Sequence, residues 1–311
     1  MSPASRRSGA FTSILCPVDF SKHSRHALRY GAAVAQRSGG TLTVLFVNDP
    51  FLVSAAAAAY DEKALVAQSG AELERFVRRV LGTRAVGGPV SHVVAMGEPA
   101  RQIQRFAKSV AADLIVMGSE GLGGTRRLFF GSTTARVLAQ AGVPVLAIPP
   151  ADHAGRGGPG AWPVSRVLAA IDLGREAARD VAAAADVARW FGLPLSLVHV
   201  VEHTRIPSWL SLKAAQHDKE RGSQARTRLG KLAKGAGPDG FAEAHVLVGE
   251  PAEQIATLAT DLQADLLVVT LRGDDRLFGD RKGTTTYHVV QQAGKPILAV
   301  PAGWRLGPSD H

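Results

Sequence analysis

Short apolar runs of strand length alternating with longer stretches of helical spacing, and the whole pattern given twice, predict an α/β protein. The expected architecture is two tandem doubly wound domains, each built on a five-stranded parallel sheet covered on both faces. The repeat is visible residue by residue. Ile14-Leu-Cys-Pro-Val-Asp19 matches Val167-Leu-Ala-Ala-Ile-Asp172. Gly97-Glu-Pro99 matches Gly249-Glu-Pro251, Asp113-Leu-Ile-Val matches Asp265-Leu-Leu-Val, and Gly142-Val-Pro144 matches Gly294-Lys-Pro296, all at an offset of 152 residues. Between the copies, residues 151–160 are rich in glycine and proline and read as a linker, giving domain 1 as 1–150 and domain 2 as 161–311.

In the first copy, Ser13–Val18 is an apolar strand, and Lys22–Ser38 carries Ala27, Tyr30 and Val34 at helical spacing. Gly39-Gly40 ends that helix, and the β-branched run Thr41–Val47 is the second strand. The alanine run before Tyr60 is read as the start of a long helix reaching Leu81, because alanine is the best helix former; a lid is the alternative. Val90–Met96 is the third strand. Glu98-Pro99 opens the next helix, with proline tolerated in a first turn and glutamate suited to the dipole. Asp113–Met117 is the fourth strand, Ser132–Gln140 a helix and Pro144–Ile148 the fifth strand.

Composition excludes several classes. With 46% hydrophobic and 20% charged residues the chain is ordinary globular protein, and it has no apolar run of the roughly 18 residues a membrane helix needs. Its first residues are read as a ragged terminus leading into a strand, not a signal peptide. Cys16 is the only cysteine, so no intrachain disulfide forms, and a reduced cytoplasmic setting is expected. In a buried strand that thiol would be an inert small hydrophobe. Residues 1–151 carry 17 Lys and Arg against 9 Asp and Glu, whereas residues 152–311 carry 19 against 18. The basic first half suits a polyanionic ligand, though a solvated basic face explains the charge equally well. No Lys/Arg-rich run interleaved with aromatics supports nucleic-acid binding.

Gly118 to Thr134, GSEGLGGTRRLFFGSTT, is the candidate site. It starts where the fourth strand ends and finishes where a helix begins, the place an anion binds. Gly118 and Gly121 let a main chain pass close to ribose and phosphate, and Ser132, Thr133 and Thr134 offer hydroxyls beside the helix-start amides. Ser132 as a simple helix cap is the plainer reading of that end. Asp19 closes the first strand, at the same carboxyl edge where ligands of such sheets bind. Other motifs fail. There is no Walker A sequence and no third glycine for a dinucleotide fingerprint. His199-Val-Val-Glu-His203 matches a zinc motif in letters, but it falls on a strand, where residues four apart span about 13 Å. His92 and His245 lie in corresponding strands and are read as inherited by duplication.

Gly118-x2-Gly121-x9-Gly131-Ser132, with Pro17-Val-Asp-Phe-Ser21 upstream and Gly142-x-Pro144 downstream, resembles the universal stress protein family over nearly the whole chain. The resemblance implies strand order 3-2-1-4-5 and a pseudo-dimer of the two domains paired through their last strands. It implies ATP with Mg²⁺ as the ligand of domain 1, with adenine near Val18, Asp19 and the main chain of Val47, and with Pro17 and Met117 at the same strand ends. Ribose would lie near Asp19 and Gly118, and phosphates would meet Gly121, Gly131, Ser132, Thr133 and Thr134. Arg126 and Arg127 are read as a solvated pair. In the second copy Thr270 replaces Gly118, Gly174 replaces Ser21, and Asp274-Asp275 add negative charge, so that site is expected to be weak or empty.

The expected function is nucleotide-dependent regulation in a stress response, acting on an unidentified protein partner. An ATP hydrolase or nucleotidyl transferase, with Glu120 the nearest candidate base, and a scaffold with vestigial loops are the competing readings. No catalytic or metal-ligating set is assigned, and the sequence leaves monomer and homodimer both open.

Overall fold

The computed structural model describes residues 11–49, 62–82, 88–119, 131–150, 165–203, 211–237, 240, 242–272 and 294–306, with the backbone alone at 62 and 211–215. They fall into two compact units that divide between residues 162 and 163. The first holds β1 (Ser13–Val18), α1 (Lys22–Ser38), β2 (Thr41–Asn48), α2 (Glu62–Leu81) and β3 (Val90–Met96), then α3 (Pro99–Ser109), β4 (Leu114–Gly118), α4 (Ser132–Gln140) and β5 (Val145–Ile148). The second holds β6 (Val167–Ala170), α5 (Ala177–Phe191), β7 (Leu195–Val201), α6 (Ser211–Ala233), β8 (Glu243–Val248), α7 (Pro251–Asp261), β9 (Leu266–Leu271) and β10 (Ile297–Pro301).

Each unit orders its strands 3-2-1-4-5, as β3-β2-β1-β4-β5 and as β8-β7-β6-β9-β10, and the pairings within each are parallel. In the first unit α1 packs against α2 and α3 against α4, and right-handed crossovers in the order 3-2-1-4-5 put the two pairs on opposite faces of the sheet. A central strand is therefore apolar on both faces. Ile14, Leu15 and Cys16 of β1 and Leu114, Ile115 and Val116 of β4 are each at most 1% exposed. Burial pushes the Cys16 thiol far above its ordinary pKa, as an inert buried cysteine requires.

Small devices are repeated in both units. Gly39 and Gly192 end α1 and α5 at φ 64° and 63°, a left-handed turn that a Cβ disfavours. The aspartate expected to begin the fourth strand instead precedes it and ties down the neighbouring strand. Asp113 Oδ2 accepts from the Thr12 N–H at 2.8 Å and the Ser13 N–H at 3.1 Å, and Asp265 Oδ2 accepts from the Ser165 N–H at 2.8 Å. Glu98 also gains a sharper role than a charge near a dipole. It is the N-cap of α3, and its carboxylate accepts from the N–H groups of Ala100 and Arg101 at 3.2 and 2.9 Å.

Candidate functional site

At the carboxyl edge of the first sheet, β1 runs beside β2 as far as Val18↔Phe46, but its ladder with β4 comprises only Ile14↔Leu114 and Leu15↔Ile115. Proline explains the early stop. Ser13 O accepts from Asp113 N, so by the two-residue alternation of a strand the amide nitrogen of Pro17 also faces β4, and it has no hydrogen to give. The corresponding ladder of the second sheet, with Ala170 in place of Pro17, runs one rung further, to Ala169↔Val268. The ends of β1 and β4 are thus left untied at the point where the strand order reverses, where doubly wound sheets take ligands.

Past β1 the chain turns sharply. Phe20 sits at φ 62°, unusual for a residue with a side chain, and its ring stacks on Phe46 at 4.3 Å and meets the edge of Phe76 at 5.4 Å. That turn lets Asp19 Oδ1 accept the Ser21 N–H at 3.0 Å and makes Ser21 the N-cap of α1, accepting from Ser24 N. Asp19 is half-buried at this edge. The aromatic brace was not foreseen, although Phe20 lies inside the motif that the sequence singles out.

Beyond β4 the described chain resumes at Gly131, and two hydrogen bonds hold the ends of the loop together. Gly131 N donates to Ser119 O at 2.8 Å, and Thr134 Oγ1 donates to Gly118 O at 2.9 Å. Gly131 is the N-cap of α4, with extended backbone and no side-chain capping bond. Ser132 is therefore the first helical residue and not the cap that the plainer sequence reading made it. The amides of Ser132, Thr133 and Thr134 occupy the first turn, where a helix supplies no internal acceptor, and they carry the positive end of its dipole.

The site residues separate by environment. Pro17, Val18, Met117 and Gly118 are buried strand-end residues, Val47 is half-buried near the end of β2, and Ser132 is exposed with Thr133 half-buried beside it. Thr134 corrects the expectation that all three hydroxyls face a ligand, because its side chain is buried and its proton is committed to Gly118 O. Gly121, Glu120, Arg126 and Arg127 lie outside the described residues, as do Asp274 and Asp275. His199 lies in β7 with Nδ1 2.9 Å from Ile171 O, so the zinc motif fails on geometry. Among the described residues no three His, Cys, Asp or Glu side chains are grouped to hold a metal, and no helix is long and apolar enough to cross a membrane.

The repeated strand order, with the strand ends of the first sheet untied where that order reverses, defines a tandem doubly wound α/β protein. Comparison with known sequences gives the family. The profile of the universal stress protein family matches residues 10–149 and again 163–301, and the chain belongs to that family in its tandem, two-domain form. A universal stress protein of Mycolicibacterium smegmatis is 27% identical over 296 residues, spanning 92% of this chain and 96% of its own. One from Thermus aquaticus is 34% identical over 144 residues, 44% of this chain and 98% of its own. The crystal structure of a universal stress protein from Archaeoglobus fulgidus covers 97% of this chain and 99% of its own at a TM-score of 0.62 and 20% identity, a likeness of fold.

Proposed function

We propose that this universal stress protein binds ATP in domain 1 and that nucleotide occupancy alters its conformation or its surface for a protein partner in the cytoplasm. The observation that carries the reading is the start of α4, whose N-cap Gly131 brings no side chain of its own to the first-turn amides and which two hydrogen bonds fix to the end of β4. The amides of Ser132, Thr133 and Thr134 form an anion site there, joined by the Ser132 and Thr133 hydroxyls. Asp19 accepts hydrogen bonds from the ribose hydroxyls, while Pro17, Val18, Val47 and Met117 give adenine an apolar slot with main-chain groups to read its edge. Mg²⁺, arriving with the phosphates, neutralises part of their charge.

Equilibrium dialysis with ATP tests the site. Asp19→Ala is expected to weaken binding about tenfold, the order of one charge-assisted hydrogen bond. Gly118→Thr, which gives domain 1 the residue domain 2 carries, is expected to weaken it at least as much. Unchanged affinity in both variants contradicts the reading. Phosphate release from the same preparation separates binder from enzyme, since turnover above about 1 s⁻¹ is enzyme-like.

A further inference from the structure

The second domain holds a charged cluster built on residues that differ from those at the matching positions of the first. Asp172 follows β6 as Asp19 follows β1, and Thr270 lies near the end of the adjoining strand β9, where domain 1 has Gly118. Two residues on, Arg272 reaches back between two acids, with Nη1 bonded to Asp172 Oδ2 and Nη2 bonded to Asp180 Oδ2. Asp180 stands in the first turn of α5 with its side chain 4% exposed, and the Thr270 side chain hydrogen-bonds to it as well. Aligned through the strand ends and the helix-ending glycines, Asp180 falls on Ala27 of α1, which is fully buried. Arg272 falls on Glu120.

These departures fit one another. A carboxylate at a buried helix position is costly unless it is paired and hydrogen-bonded, and Arg272 with Thr270 supplies both. The guanidinium is permanently charged and planar, and it serves two acids with separate nitrogens. Gly174 lies beside the pair, where a Cβ would stand in ordinary contact, 3.4 Å from Asp172 Oδ2 and 3.6 Å from Arg272 Nη1, so the complementarity rests on Asp180, Thr270 and Arg272. Simple loss of a binding loop explains none of this complementarity.

We propose that Arg272 is a built-in occupant of the domain 2 crevice: its guanidinium, held between Asp172 and Asp180 and braced through Thr270, excludes a nucleotide from the strand ends that domain 1 leaves for one. The exclusion rests on the reading of domain 1 as the nucleotide site. The occupancy does not, and the two are tested separately.

Arg272→Ala in the full chain removes the cation and leaves the acids facing each other. Its melting temperature is expected to fall, and guanidinium chloride at low millimolar concentration, far below the denaturing range, is expected to restore most of the loss, whereas equal sodium chloride does not. The wild type gains nothing from guanidinium. Equal effects of the two salts on the variant overturn the occupancy. Arg272→Lys keeps the charge without the fork and is expected to melt below the wild type; an unchanged melting temperature also overturns it. For exclusion, the combined variant Asp180→Ala, Thr270→Gly, Arg272→Ala is expected to bind one more ATP per chain than the wild type, and an unchanged count contradicts exclusion. A wild type that binds no ATP refutes the assignment of domain 1 and the exclusion built on it, leaving the guanidinium result to stand alone.

Discussion

Glu98 and Glu250 occupy the same place in the two repeats, between a glycine and a proline, yet only Glu98 caps its helix through its side chain. Burial on its own pushes the Glu98 carboxyl up, but the N–H groups of Arg101 and Ala100, with Arg136, outweigh it and hold the carboxyl below its ordinary value. A depressed carboxyl contributes stability that is full above the unfolded pKa, near 4.5, and is lost as pH falls through the lower folded value. Glu98→Ala is therefore expected to lower stability by about 1 kcal/mol at pH 7, mostly through the lost cap, with the difference from the wild type shrinking below about pH 4 in urea titrations. Arg136 adds little, because its side chain is 59% exposed. Glu250→Ala is expected to cost only a few tenths of a kcal/mol, having no capping bond to lose. The glutamate was legible in the sequence as a favourable charge at a helix start. Whether its carboxylate turns back onto the amides was not, since identical tripeptides do it in one copy and not in the other.

At the scale of elements, β1 and α1 keep the bounds that their apolar spacing predicts, Ser13–Val18 and Lys22–Ser38, because both bury continuous apolar faces. The parallel alternation follows from the same spacing, and the strand order expected from the family motif is the one found in both units. The expectation for the alanine run falls outside the described residues before position 62. Less legible was the part played by Pro17. A proline near the end of a central strand argues against that strand, and here it ends the β1–β4 ladder one rung short of its counterpart. Pro17→Ala supplies the missing N–H and allows the ladder to lengthen, narrowing the crevice. ATP affinity is expected to fall severalfold in dialysis while the far-ultraviolet circular dichroism stays unchanged; affinity equal to the wild type would remove Pro17 from the account.

The whole molecule is a duplication whose halves have diverged in charge and in chemistry. Residues 1–151 carry nearly all the positive surplus of the chain, and the start of α4, with Gly131 as its N-cap, lies within them. The sequence showed the divergence at Thr270 and Gly174, where letters differ at matched motif positions. It hid Asp180 and Arg272, because an acid in the first turn of a helix and an arginine after a strand both read as surface residues until their burial and mutual contact are known. One available signal was that Asp180 aligns with an alanine on the apolar face of α1. The central claim is one asymmetric pair, a nucleotide site in domain 1 and a self-occupied crevice in domain 2, and its most direct test is the number of ATP molecules bound per chain at saturation. The account predicts one, abolished or weakened by Gly118→Thr; two equivalent sites, or none, would contradict it.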